Sequence, residues 1–190
     1  MYVYVSLWEV VGLTRKILVF SDSHEEAKYM NKALAMNPDA DMIVHLGDGA
    51  YDLTRPLPEN YEKPIVAIEG NGEYYGWIKV DRRYLPKRTE TIEFEGKRLF
   101  MTHGHLYDVK YGLERIAARA YADGADIVLF GHTHLPISKF IPEGTELGLI
   151  GKTERPLLLF NPGSIGMGIK HSFGLLTFSG SDVLPSHGEI

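Results

Sequence analysis

Short runs of apolar and β-branched residues recur along the first part of the chain, separated by polar or turn-forming residues. They cover residues 16–20, 42–46, 65–68, 99–102 and 126–130. Continuous apolar runs of this length are typical of strands that are buried on both faces. The sequence therefore predicts a buried strand at each of these positions.

Two stretches between the runs, residues 25–36 and 112–122, carry apolar residues at helical spacing. Apolar residues three or four positions apart form one stripe on a helix, so both stretches predict amphipathic helices. From residue 137 the pattern becomes strand-like again, with strands predicted at 137–141, 146–150, 157–160 and 173–178. Alternating strands and helices followed by a β-rich tail favour an α/β fold of two packed sheets with helices on the outer faces.

The length of the chain, 190 residues, is sufficient for a core and short for two domains, so we expect one domain over residues 15–190. Residues 1–14 precede the first predicted strand, and we expect an N-terminal extension that is an edge strand, an interface segment or a loose tail. No apolar run reaches membrane-spanning length, and Glu9 interrupts the apolar N-terminus, unlike a secretory signal. We therefore expect a cytoplasmic protein without a membrane partner, and leave a homo-oligomer open.

Composition removes several kinds of chemistry. The chain has no cysteine, which excludes disulfides, thiolate metal sites and cysteine nucleophiles. Its formal net charge of -5 lacks the basic excess with which proteins bind nucleic acid nonspecifically, so we expect no duplex nucleic acid as a partner. Any metal ion must therefore bind to histidine, carboxylate or amide side chains.

Side chains of that kind follow each of the first predicted strands. They are Asp22 and His24, Asp48, Asn71, His103 and His105, and His132 and His134. Ligands collect where loops leave the strands of α/β sheets. The paired members are two positions apart, so in extended backbone both side chains of a pair point to the same side. Glycines adjoin every cluster except Asp22 and His24, and would permit the loops to approach each other closely.

The chemistry and number of these side chains predict the kind of site. Imidazole, carboxylate and amide ligands without sulfur suit divalent Mn, Fe, Co, Ni or Zn. A catalytic zinc ion takes about three protein ligands, fewer than the set available here. The sequence therefore predicts a site for two divalent ions.

Five motifs, taken in order, resemble those of a known family. They are Asp22-Ser23-His24, Gly47-Asp48, Gly70-Asn71, Thr102-His103-Gly104-His105 and Gly131-His132-Thr133-His134. On these motifs the chain resembles the calcineurin-like metallophosphoesterase superfamily, in its small bacterial and archaeal phosphodiesterase branch. The resemblance implies a four-layer α/β/β/α sandwich of two mixed β-sheets flanked by helices. It also implies a metal-dependent hydrolase of small phosphate esters, with a phosphodiester favoured.

The resemblance assigns the ligands to two ions, with Mn²⁺ favoured over Zn²⁺, Ni²⁺, Co²⁺ or Fe. The first ion would bind Asp22, His24 and His134. The second would bind Asn71, His103 and His132, with Asp48 as the bridge between both ions. Asn71 and His105 would also be catalytic, and His105 would face the phosphate. Hydrolysis would proceed by in-line attack of a metal-bridging hydroxide.

Several points stay open at this level. Gly72 stands where many superfamily members have histidine and where this branch often has cysteine, so the group that protonates the leaving group is not assigned. A eukaryotic retromer subunit resembles the fold and serves mainly as a protein-binding scaffold, which keeps a non-catalytic module as an alternative. A phosphomonoesterase or nucleotidase, and an amidohydrolase-like or β-lactamase-like enzyme, are further alternatives. We expect His45, inside a predicted strand, to be structural.

Overall fold

The structure, a computed structural model, describes residues 14–54, 62–73 and 87–190. Its strands are β1 (Arg15–Phe20), β2 (Met42–His45), β3 (Ile65–Ala67), β4 (Thr89–Phe94), β5 (Lys97–Thr102), β6 (Ile127–Leu129), β7 (Pro136–Ile141), β8 (Leu157–Pro162), β9 (Ser172–Ser179) and β10 (Asp182–Glu189). Its α-helices are α1 (Ala27–Met36) and α2 (Glu114–Ala122), and neither is long and apolar enough to cross a membrane. Apart from Thr14, the predicted N-terminal extension lies outside the described residues.

The strands form two mixed sheets of five strands each, in the orders β10-β9-β1-β2-β3 and β4-β5-β6-β8-β7. In the first sheet β1, β2 and β3 are parallel, and β9 and β10 run antiparallel to their neighbours. In the second sheet β5, β6 and β8 are parallel, and β4 and β7 are antiparallel edge strands. The parallel strands of each sheet therefore bring their carboxyl ends, where the candidate ligands follow, to one edge.

Alternate residues of the central strands face different layers, as the pleat of a strand requires. Ile17 of β1 packs between the two sheets in one cluster with Leu99 of β5. Its neighbour Leu18 faces the other side and packs with Met30 of α1. Phe100 of β5 likewise faces outward, in the cluster that contains the buried side of α2. The predicted four-layer sandwich of two mixed sheets between helices is confirmed.

Two local predictions differ from the structure, and two strands were missed. The predicted strand at 146–150 is wrong, because residues Gly148–Ile150 form a 3-10 turn. Strands β4 and β10 were not predicted, and both lie at an edge of a sheet. Helix α1 begins at Ala27 instead of residue 25, since Glu25 has a φ of 71°, outside the helical region.

Candidate metal centre

Six of the predicted ligands meet at the carboxyl ends of β1, β2, β5 and β6. They form two groups of three, and within each group one ligand atom per residue lies within 4.8 Å of the others. One group is Asp22, His24 and His134, and the other is Asp48, His103 and His132. Residues more than a hundred positions apart in sequence are thus adjacent in space, in the same division that the resemblance implies for these six side chains.

Asp22 connects the two groups. Its Oδ2 accepts a hydrogen bond from the backbone N–H of His132 at 3.0 Å. Its Oδ1 is buried without a hydrogen-bond partner among the described residues. This oxygen lies 3.2 Å from Nε2 of His134 and 3.9 Å from Nε2 of both His24 and His103. Three imidazole nitrogens that converge on one unpaired carboxylate oxygen fit a bound cation, since each of the four atoms can offer it a lone pair.

The second group is oriented by the backbone. Nδ1 of His103 lies 2.7 Å from the carbonyl oxygen of Leu46, to which it must donate its hydrogen. The lone pair of His103 is then on Nε2, which lies 3.4 Å from Oδ2 of Asp48 and 3.2 Å from Nδ1 of His132. A backbone carbonyl that fixes the tautomer and direction of an imidazole is a common feature of metal sites.

The charges of the centre favour a cation. Burial acts to raise the pKa of Asp22 and of Asp48, but the neighbouring histidines, with a hydrogen bond from the Ser21 hydroxyl to Asp22 and one from the Gly72 N–H to Asp48, outweigh it and lower the pKa of both carboxyls below the usual value. Burial, with the charge of His103, lowers the pKa of His132 to about 4. At neutral pH the two carboxylates are therefore ionised and His132 is neutral, which are the forms that bind metal.

The backbone of the ligand loops adopts an uncommon conformation. Five of the six clustered residues have positive φ: Asp22 at 53°, His24 at 45°, Asp48 at 54°, His132 at 67° and His134 at 59°. Elsewhere in the described residues only Glu25, Glu95 and Asp108 share this feature among residues other than glycine. Such a conformation costs about 1–3 kcal/mol per residue and is concentrated at functional sites. The fold thus holds these loops in strained turns that aim their side chains at one point.

The two residues predicted to be catalytic take different positions. The loop of Asn71 contacts Asp48, because the N–H of Gly72 donates to Asp48 Oδ1 at 2.6 Å. The Asn71 side chain itself is exposed, and within the described residues no hydrogen bond joins it to the six clustered side chains. The ring of His105 lies beside the second group, 5.4 Å from the ring of His103 between centroids, and its Nδ1 is buried without a partner among the described residues.

Glu73 belongs to the centre although the sequence pattern assigned it no role. Its buried carboxylate accepts three backbone hydrogen bonds. Oε1 accepts from the N–H of Gly49 at 2.9 Å and from that of Ala50, and Oε2 accepts from the N–H of Gly70 at 2.5 Å. These donors lie in two loops, the one that carries Asp48 and the one that follows β3. Glu73 therefore joins two ligand loops, and its only sequence signal is its place two positions after Asn71 of the Gly-Asn motif.

His45 lies behind the ligands and is fully buried. Its Nδ1 accepts the N–H of Gly47 at 3.2 Å, so Nε2 carries the hydrogen, and Nε2 lies 3.1 Å from Oγ of Ser23. The Ser23 hydroxyl in turn donates to Oδ2 of Asp52 at 2.7 Å. Both nitrogens of His45 are thus engaged by protein groups, as a structural role requires.

A family model for the calcineurin-like phosphoesterase superfamily domain matches residues 16–181 of the chain. The chain belongs to this superfamily. The probable metallophosphoesterase YsnB of Bacillus subtilis is 32% identical over 151 residues, which cover 78% of this chain and 74% of that protein. The phosphodiesterase YfcE of Escherichia coli strain K12 is 27% identical over 183 residues, which cover 85% of this chain and 86% of that protein.

Solved structures share the fold of this superfamily member. A novel archaeal phosphodiesterase superposes with a TM-score of 0.68 at 20% identity, over 92% of this chain and 99% of that one. Vps29 of Entamoeba histolytica in complex with Zn²⁺ superposes with a TM-score of 0.55 at 18% identity, over 92% and 98%. At such identities the likeness describes the fold. Superfamily membership and the two ligand groups together indicate a phosphoesterase that depends on divalent metal ions.

Proposed function

We propose that the chain is a phosphodiesterase that binds two divalent ions, with Mn²⁺ favoured. The observation that carries the proposal is the pair of adjacent ligand groups, each with three convergent donor atoms. Two buried atoms, Asp22 Oδ1 and His24 Nε2, have no hydrogen-bond partner among the described residues and support the proposal, because a buried polar atom without a partner is costly unless a ligand satisfies it. In this proposal Asn71 joins His103 and His132 as a ligand, and Asp48 is shared by both ions.

Bound divalent ions would activate a water molecule and neutralise the charge that develops on the phosphate during in-line displacement. The protein's own residues would position the metal ligands and protonate the leaving group. The N–H of Gly72 holds Oδ1 of Asp48, and Oδ2 faces Nε2 of His103. His105, whose pKa burial and the charge of His103 lower, would donate a proton to the leaving alcohol, the role that no side chain at Gly72 fills.

A small phosphodiester is the proposed substrate. The proposal also includes a cytoplasmic location and a single domain over residues 15–190. YfcE and the archaeal protein, both named phosphodiesterases, support the diester over a monoester. A phosphomonoesterase is the alternative that substrate comparison would detect.

A protein-binding module is the second candidate, favoured by the structural likeness to Vps29. Because that Vps29 structure holds Zn²⁺, metal occupancy alone does not separate a module from an enzyme. Turnover separates them, because a binding module would not hydrolyse a phosphate ester.

The test is hydrolysis of bis(p-nitrophenyl) phosphate and p-nitrophenyl phosphate by metal-free protein loaded with Mn²⁺, Zn²⁺, Ni²⁺ or Co²⁺. We expect metal-dependent turnover with the diester preferred. Asp48→Asn should lower kcat by at least about 10²-fold, whereas Asp182→Asn, an exposed carboxylate at the start of β10, should change nothing. No turnover with any metal would favour the binding module, and a preference for the monoester would favour the phosphomonoesterase.

A further inference from the structure

A groove of about 620 Å³ opens beside His134, a member of the first ligand group. Two loop segments contribute its apolar side chains, Leu135, Pro136, Met167 and Ile169, and Lys170, Ser172 and Glu189 also line it. A volume of several hundred cubic ångströms is in the range of small-molecule sites. The groove and the candidate metal centre adjoin at His134, which belongs to both.

The first wall is fixed to the ligand loop. Leu135 directly follows His134, and its backbone N–H donates to Oγ1 of Thr133 at 3.3 Å. That hydroxyl also accepts a hydrogen bond from Nδ2 of Asn161 at 3.1 Å, which ties the loop to the end of β8. Leu135 therefore has a defined position relative to His134.

The second wall is fixed to Asp22. The hydroxyl of Ser164 donates to the backbone carbonyl of Asp22 at 2.7 Å and accepts the N–H of Met167 at 2.7 Å. The N–H of Gly166 donates to the same carbonyl at 3.2 Å. The loop that continues to Ile169 thus begins on the backbone of a candidate metal ligand, and both walls adjoin the first ligand group.

The apolar side chains of this groove are unusually exposed. Leu135 is 64% exposed, Met167 46% and Ile169 101%, while most aliphatic side chains of the chain's described part are buried. Exposed apolar surface next to a candidate catalytic centre is one of the features of a ligand-binding groove. Lys170 and Glu189, which also line the groove, form an ion pair at 3.1 Å, so these two charges are matched to each other.

We propose that this groove binds the apolar alcohol group of the substrate, an aryl or branched alkyl group esterified to the phosphate at the metal centre. The inference rests on the proposed function and adds to it the class of diester. Aliphatic walls attract an apolar group because its surface is buried against them. Lys170 and Glu189 are paired with each other, so their charges do not favour a charged substrate group.

Direct binding of non-hydrolysable probes tests the inference independently of turnover. Phenylphosphonate and methylphosphonate present the same anionic head to the centre and differ only in the apolar group. With the Mn²⁺-loaded protein, calorimetry should give a Kd for phenylphosphonate that is about tenfold lower, from partial burial of the ring against aliphatic walls. In the double variant Met167→Ser/Ile169→Ser the ratio should fall to about twofold or less.

Leu184→Ser is the matched control, because Leu184 is 67% exposed on β10 and does not line the groove. It should keep the tenfold ratio. In turnover, phenyl p-nitrophenyl phosphate should have a higher kcat/KM than methyl p-nitrophenyl phosphate in the wild type, and the double variant should lose this difference.

Each other outcome has a distinct meaning. Equal binding of both phosphonates by an active wild type, or an unchanged ratio in the double variant, would overturn the groove as a subsite. A change of oligomeric mass in the double variant with an unchanged ratio would instead make the groove an interface between copies. A protein that binds neither phosphonate and hydrolyses no ester would refute the proposed function, and the inference with it.

Discussion

The carboxylate of Glu73 connects two loops of the candidate metal centre. The substitution Glu73→Gln therefore tests directly whether its hydrogen bonds hold these loops together. The substitution keeps size and shape and replaces one carboxylate oxygen by an NH₂ group. The amide oxygen can still accept the N–H groups of Gly49 and Ala50. The new NH₂ group then faces the N–H of Gly70, so that two donors oppose each other where a hydrogen bond was.

The expected loss of stability follows from these contacts. A hydrogen bond to a charged group contributes about 1.5–3 kcal/mol, and a buried donor left without a partner costs about 1–3 kcal/mol. Burial raises the pKa of Glu73, against the opposing effect of its three N–H donors, so the substitution also removes the cost of burying a charge. We therefore expect a net loss in the free energy of unfolding of about 2 kcal/mol, which corresponds to about 4–8 °C in Tm for a chain of this size.

The substitution should also lower the affinity for metal ions, because Glu73 holds the loop that carries Asp48. Removal of a group that orients a metal ligand lowers affinity or activity by about 10–100-fold. Thermal unfolding of the metal-free protein and calorimetric titration with Mn²⁺ measure the two effects separately. Glu69→Gln is the control, since Glu69 lies on the same segment but is partly exposed and 3.9 Å from Arg88. It should change stability by no more than about 0.5 kcal/mol.

Two results would refute this reasoning. If Glu73→Gln unfolded at the same temperature as Glu69→Gln and bound Mn²⁺ with wild-type affinity, Glu73 would not join the loops in solution. If it lost activity with stability and metal affinity intact, the carboxylate would act on the substrate instead.

Other predictions concern single residues. Asp48→Asn should lower kcat more than His24→Ala does, because a shared ligand contacts both ions, and equal losses would argue against sharing. His45→Ala should lower the free energy of unfolding by about 2–4 kcal/mol yet retain two bound ions by elemental analysis, and loss of one ion from the folded variant would contradict the structural role. His105→Ala should slow alkyl phosphodiesters by about 10²-fold and nitrophenyl esters far less, since nitrophenolate leaves unprotonated. Equal effects on both ester types would assign the proton to another group.

The positions of the ligands could be predicted from sequence because they depend on strand order and strand ends. An apolar run such as 16–20 identifies β1, and parallel neighbours bring the residues after each strand to one edge. That argument needs no side-chain detail, and it is sufficient to place Asp22 near Asp48. It does not extend to the Asn71 side chain, whose direction depends on a loop without regular structure. The grouping of Asp22 with His134, which follow strands of different sheets, comes from the family resemblance.

The edge strands could not be predicted for a physical reason. Strand β4 has the sequence TETIEF, in which four of six residues are polar, a composition typical of a half-exposed edge strand as well as of a loop. Strand β10 contains Pro185, which is tolerated at an edge because no further strand needs its N–H. The error at 146–150 has a similar origin, since glycines at positive φ, Gly148 and Gly151, turn an apolar sequence out of the sheet.

The role of Glu73 depends on long-range hydrogen bonds that no local pattern encodes. Its donors are Gly70, three residues away, and Gly49 and Ala50, more than twenty residues away. A glutamate after a glycine-rich turn is ordinarily solvated, and only the packed loops bury it. The positive φ values of the ligand residues have the same origin, because the fold imposes them against the local preference of each residue.

The central claim, a phosphodiesterase with two metal ions, is tested most directly by titrating metal-free protein with Mn²⁺ while bound metal and hydrolysis of bis(p-nitrophenyl) phosphate are followed together. Two adjacent ligand groups predict saturation at two ions per chain, with turnover that develops as the second ion binds. Saturation at one ion with full activity, or two bound ions with no hydrolysis, would contradict the account.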